Sequence, residues 1–94
     1  MLPQDRTPSH PGEILKELYV TPLGLTQSDL AALLQVTRVA INEIMNGRRG
    51  ISPSMALKLA DAFQTTPQLW MNLQMDYELW RAKKAHKPIR AIAS

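Results

Sequence analysis

The sequence predicts an all-α domain of five helices, the last of them long. Three observations carry that prediction. Apolar residues recur at helical spacing, as in Leu30, Leu33 and Leu34, and no β-branched alternation appears, so no sheet is expected. The pairs Ser52-Pro53 and Thr66-Pro67 mark two helix starts, each a capping side chain followed by a residue preset for the first turn. The stretch from Thr26 to Asn46 reads as two short helices joined by a tight turn.

Length and composition set the bounds. Ninety-four residues, 45% of them hydrophobic and 20% charged, make one globular domain with a modest core. No cysteine is present, which excludes disulfides and thiolate metal sites and fits a reducing cytoplasm. No apolar run approaches the roughly 20 residues that span a bilayer, and MLPQDRTPSHPGE lacks the apolar region of a signal peptide. The net charge of +3 is uneven. Residues 1–80 hold six Lys/Arg and eight Asp/Glu, a balance of −2, whereas residues 81–94 hold five Lys/Arg and no acid, a balance of +5. The basic character belongs to the tail.

Residues 1–9, with Pro3 and Pro8, read as a flexible arm. Pro11 opens the first helix, Glu13 suits its positive end, and Ile14, Leu15 and Leu18 make its buried stripe with Tyr19 at the edge. His10 reads as a helix cap rather than a ligand or base, since neither it nor His86 has partners at ligand or triad spacing. Thr21-Pro22-Leu23-Gly24 is expected to end this helix. Thr26 and Asp29 form a capping-box pattern at the start of the second helix. Leu30, Leu33 and Leu34 are its apolar stripe, and Ala31 and Ala32 permit a close crossing. The helix should end near Gln35, with Val36 plugging the turn. The third helix runs from Thr37 as cap to about Asn46. Ala40, Ile41 and Ile44 face inward with Met45 nearby, and Asn46-Gly47 stops the helix, both residues tolerating the left-handed conformation.

Arg38, Val39, Asn42 and Glu43 are left pointing outward. A helix fits the DNA major groove, where every base pair presents its own pattern of donors and acceptors. Arg38 suits guanine, Asn42 suits adenine from nearer the edge of the face, Val39 suits a thymine methyl, and Glu43 suits cytosine or the orientation of Arg38. Together with Thr37 these are the candidate base-reading residues. Arg48 and Arg49 follow directly, beside glycines, and with Gln27 at the second helix's N-terminus they are the candidate phosphate contacts. The competing reading is a solvated polar face on an ordinary helix, with Arg48 and Arg49 as a solvated charge pair.

The fourth helix, capped by Ser52, buries Met55, Ala56, Leu59, Ala60 and Phe63, with Lys58 and Asp61 toward water. The fifth helix, over 67–82, carries Leu69, Trp70, Leu73, Tyr77 and Trp80 on one stripe and Met71, Met75 and Leu79 on another. A helix apolar on two faces needs two neighbours. Trp70, Leu73, Met75, Tyr77, Leu79 and Trp80 are therefore the candidate homodimer interface, against the alternative that all six serve an internal core. Dimerisation suits a reader of inverted half-sites. Residues 83–94 are expected to be a flexible basic tail that extends the fifth helix at most to about Lys84, since Pro88 stops it.

These residues also resemble a family. Gln27, Leu30, Ala31, Leu34, Val36, Ile41 and Ile44 fall where lambda-repressor-like (XRE-type) helix-turn-helix proteins place their capping glutamine and core. Gln35 departs from the glycine usual at that place; a left-handed glutamine costs about 1 kcal/mol, so a slightly different turn is expected. HPGEIL at 10–15, NGRRGIS at 46–52, ALKLA at 56–60 and TPQLWMNLQ…YELW at 66–80 resemble HigA-type antitoxins, over about residues 9–82. The resemblance implies a five-helix lambda-repressor-like bundle in which helices 2 and 3 form the helix-turn-helix of a DNA-binding domain over 10–82. It also implies a homodimeric antitoxin that binds operator DNA, neutralises a RelE-like mRNA-cleaving toxin and represses its own operon. No residue points to the toxin independently of the resemblance. The rivals are a repressor without a toxin and a protein-interaction module on the same fold. No carboxylate pair, nucleophile–base arrangement or phosphate-cradling loop is present, so no catalytic residue, metal or cofactor is expected.

Overall fold

Every helix among the described residues opens on a side-chain cap. Backbone N–H groups at a helix start lack internal partners, and a nearby side-chain acceptor takes one up. In the computed structural model, which describes residues 8–92, His10 Nδ1 accepts from Gly12 N at 2.9 Å. The hydroxyls of Thr26, Thr37, Ser52 and Thr66 accept from Asp29, Ala40, Met55 and Leu69 N at 3.0–3.2 Å. Proline fills the first turn after His10, Ser52 and Thr66, as expected.

The described residues form five helices and no strand. Helix α1 covers residues 11–23 in three continuous segments: α over Pro11–Leu15, π over Lys16–Val20 and α over Thr21–Leu23. Then follow α2 (Gln27–Leu34), α3 (Arg38–Met45), α4 (Pro53–Phe63) and α5 (Pro67–Ala85). The core joins Leu15 and Val20 of α1, Leu30 and Leu34 of α2, Ile41 and Ile44 of α3, Ile51, Leu59 of α4, and Trp70 of α5. Trp70 is wholly buried, and its Nε1 donates to Thr65 Oγ1 at 2.8 Å. Truncating it to alanine would cost about 3–5 kcal/mol.

Several expectations are corrected here. Helix α1 ends within the expected Thr21–Gly24 stretch, running to Leu23 before Gly24 turns it at φ 67°, but its middle is not regular α-helix. Pro22 has no N–H for the carbonyl four residues back and its ring crowds that carbonyl; the wider π turn just before it fits that demand. The same turn moves Leu18 out of the core. Leu15 and Val20, five apart, are buried, while Leu18 is 62% exposed. Leu33 and Ala32 also face outward on α2, leaving Leu30, Ala31 and Leu34 to pack. Gln35 does take the left-handed conformation, at φ 57°, as a glycine would, and Gln64 repeats it at the end of α4. Asn46 does not; Gly47 alone turns, at φ 73°. Lys58 is half-buried, with Nζ 3.5 Å from Gln35 O. Helix α5 runs past residue 82 to Ala85, one residue beyond the expected extension to Lys84, with Lys83 and Lys84 at its negative end. Residues 1–7 of the expected arm and residues 93 and 94 of the tail lie outside the described part.

Candidate nucleic-acid interface

Helix α3 is presented by close backbone packing beneath it. Gly12 of α1 is buried against its end: a Cβ there would lie 1.9 Å from Ile44 O and 3.1 Å from Met45 Cα. Only glycine permits that approach. Ala31 and Ala40, both buried, hold α2 and α3 close. Val36 is half-buried in the turn, and its N–H bonds Ala31 O at 3.0 Å. The inward residues Ala40, Ile41 and Ile44 are buried as the sequence indicated.

The outward face is as polar as expected. Thr37, Arg38, Val39 and Asn42 are exposed, Val39 by 66%, and Glu43 is half-buried. Asn42 Nδ2 donates to Gln27 Oε1 at 3.2 Å, so a phosphate candidate on α2 and a base candidate on α3 are physically joined. Asn46 Nδ2 in turn donates to Asn42 Oδ1 at 3.2 Å and Asn42 O at 3.0 Å.

Glu43 does not orient Arg38. Its Oε1 lies 2.6 Å from Arg49 Nη2, an ion pair in which it accepts no aligned hydrogen bond. With the two side chains 51% and 36% exposed, such a pair contributes about 0–1 kcal/mol, and Arg49 is free to turn to a phosphate at little cost. The loop bearing both arginines is pinned to the end of α3: Arg48 N and Arg49 N donate to Glu43 O at 2.8 and 3.2 Å.

Two positioning residues were missed. Gln74 on α5 is buried, and its Oε1 accepts from Ile51 N at 2.7 Å, anchoring the far end of the arginine loop. Gly50 lies so close to this amide that a Cβ would fall 2.7 Å from Gln74 Nε2. A polar residue four positions after Trp70, on its buried face, was the available signal. Gly12 was the other, a glycine inside a helix start.

His10 caps α1 and meets the Tyr77 ring edge-on at 4.8 Å. Burial, and then the Arg81 charge, lower its pKa below 6.5, with Glu13 opposing. Asp29 is held below its usual value by the hydrogen bonds from Thr26 that close the capping box. The described residues contain no cluster of side chains suited to a metal ion.

A profile of the helix-turn-helix family matches residues 15–70. The chain belongs to that family, in its XRE type. A Haemophilus influenzae protein of the family, described as an uncharacterised HTH-type transcriptional regulator, is 47% identical over 75 residues, covering 80% of this chain and 70% of that one. The Pseudomonas aeruginosa antitoxin HigA, solved with the higBA promoter, superposes with a TM-score of 0.83 at 37% identity, covering 90% of this chain and 98% of that one. A further Pseudomonas aeruginosa protein, PA4674, solved with its 18-bp operator DNA, gives a TM-score of 0.82 at 40% identity, covering 85% of this chain and 86% of that one. The lambda-repressor-like bundle expected from the sequence is thus the fold of HigA-type antitoxins.

On the expected dimer face, Trp70 is corrected: it is fully buried in the core and has no surface to offer a partner. Met75 and Leu79 are about half exposed, while Leu73, Tyr77 and Trp80 are half-buried. Lys84 Nζ lies 3.8 Å above the Trp80 ring. No described helix is long and apolar enough to cross a membrane.

Proposed function

We propose that this protein is a sequence-specific DNA-binding antitoxin that represses its own operon as a homodimer. The carrying observation is the outward face of α3, with Arg38, Val39 and Asn42 exposed and an arginine loop pinned to its end. Thr37, Arg38, Val39, Asn42 and Glu43 face the bases. Gln27, Arg48 and Arg49 contact phosphates and set the register. Two copies pair through α5, where Met75 and Leu79 are uncovered and Leu73, Tyr77 and Trp80 are half covered.

The partner in neutralisation is a RelE-like, mRNA-cleaving toxin. That reading is supported by the likeness to the Pseudomonas aeruginosa antitoxin HigA along nearly the whole chain. The protein acts in the cytoplasm, non-enzymatically and without a cofactor. The domain runs from residue 10 to the end of α5 at Ala85.

The test is a gel-shift titration with the DNA upstream of the coding region against scrambled DNA at equal salt. Selective binding with a two-fold symmetric footprint is expected, followed by rescue of growth when the neighbouring toxin gene is co-expressed. Equal, weak binding to both DNAs would refute the operator reading. Selective binding without rescue would leave a repressor that has no toxin.

A further inference from the structure

We propose that Gln27 and Asn46 are specificity-positioning residues that lock the Asn42 carboxamide in the orientation that reads adenine. The inference rests on the DNA-reading proposal and deepens it. A carboxamide has two N–H donors and an oxygen with two acceptor positions, and it presents opposite patterns in its two flipped orientations. Left free on an exposed helix, it discriminates poorly.

Asn42 is not free. One N–H goes to Gln27 Oε1 and one oxygen position is taken by Asn46 Nδ2. Asn46 is itself fixed, because the same Nδ2 donates to the Asn42 backbone oxygen one turn back. Flipping the Asn42 amide would set its NH2 against the Asn46 Nδ2 that the backbone oxygen holds in place, and its oxygen against Gln27 Oε1 unless Gln27 turned over as well and gave up the orientation that offers its NH2 outward. What remains outward is one N–H and one acceptor position. Adenine presents the complement in the major groove, an N7 acceptor beside an N6 donor, whereas guanine presents two acceptors. The locked amide therefore meets guanine O6 with an oxygen.

The relay continues outward. Because Gln27 Oε1 turns to Asn42, Gln27 Nε2 turns away from it and is available to a phosphate. Gln27 stands at the first position of α2, where free backbone N–H groups favour the same anion. A single side chain thus ties the placement of the helix on the backbone to the orientation of a base reader.

The experiment uses the full chain and a randomised duplex pool. The consensus selected by the wild type is followed by competition titrations with guanine replacing each adenine. Circular dichroism and thermal unfolding check that each variant is folded. Asn46→Ala is expected to keep binding but to lose discrimination at one adenine by roughly tenfold or more, the usual size of one bidentate base contact. Gln27→Met should lose the same discrimination together with affinity on all sequences. Gln27→Glu retains an acceptor for Asn42 and so should keep the adenine preference while weakening binding everywhere. Undiminished discrimination at every position in Asn46→Ala, with the wild type selective, overturns this inference alone. Equal loss of preference in Gln27→Glu and Gln27→Met overturns it as well. A wild type that selects no sequence overturns both the DNA-reading proposal and the relay.

Discussion

Gly12→Ala should be among the most damaging single-methyl changes in this protein. The added Cβ would lie 1.9 Å from Ile44 O, against an ordinary contact of 3.4 Å or more, so α1 must retreat from α3 by 3.4 − 1.9 = 1.5 Å. A gap of 0.5–1 Å already forfeits about a quarter to a half of a contact's dispersion energy. The residues carried outward with Gly12 include Pro11 and Leu15, both fully buried. Burial of a leucine is worth about 1.5–3 kcal/mol, so losing much of two such contacts costs about 2–4 kcal/mol. A 94-residue domain has roughly 5–14 kcal/mol in all. Urea unfolding followed by the fluorescence of buried Trp70 should show it. With a slope of about 1.5 kcal/mol per molar, the midpoint should fall by roughly 1.3–2.7 M. A midpoint within about 0.3 M of wild type would refute the reasoning, because it would mean α1 is not pressed on the backbone of α3.

Other outcomes follow from the same structure. Gln35→Gly removes a left-handed side-chain conformation and should raise stability by about 0.5–1 kcal/mol; an unchanged or lower melting temperature would contradict it. His10 caps α1 in its neutral form and has a depressed pKa, so below about pH 6.5 the unfolded state takes up the proton first. Stability should therefore fall as pH drops from there to the folded pKa and level off beneath it, and His10→Asn should flatten that stretch of the pH–stability curve. Arg38→Ala should lose about 1–3 kcal/mol at the preferred DNA and relax one base preference, whereas Arg49→Ala should weaken all sequences and lower the salt slope by about one unit. Identical behaviour of the two variants would erase the division between reading and positioning. Trp80→Glu should give monomers in sedimentation equilibrium; an intact dimer would move the interface off this part of α5.

Much of the fold was legible because its signals are local. Caps, first-turn prolines and 3.6-residue periodicity lie within a few positions of one another, and all five helix starts fell where the sequence put them. The outward face of α3 was legible for the same reason. What was hidden depends on partners distant in sequence. Trp70 looked like interface because its stripe is apolar, but only the packed chain shows Tyr19 and Thr65 closing over it. Gln74 reaches a backbone amide 23 positions away. Glu43 had two arginines within reach, and the loop fold rather than helical spacing chose Arg49. Gly12 carries no meaning until α3 lies across it.

The π turn in α1 gives the chain a tolerance in length. A wide turn of this kind holds one more residue than the α-helix on either side needs. Excision of Leu18, whose side chain contributes little to the core, together with replacement of Pro22, which an unbroken helix would not accept, would close Lys16–Val20 into ordinary helix and leave Leu15 and Val20 four apart on a single face. Nothing downstream would rotate. A chain one residue shorter at this point and without Pro22 would keep the same reading helix at the same angle, a change in spelling without a change in shape.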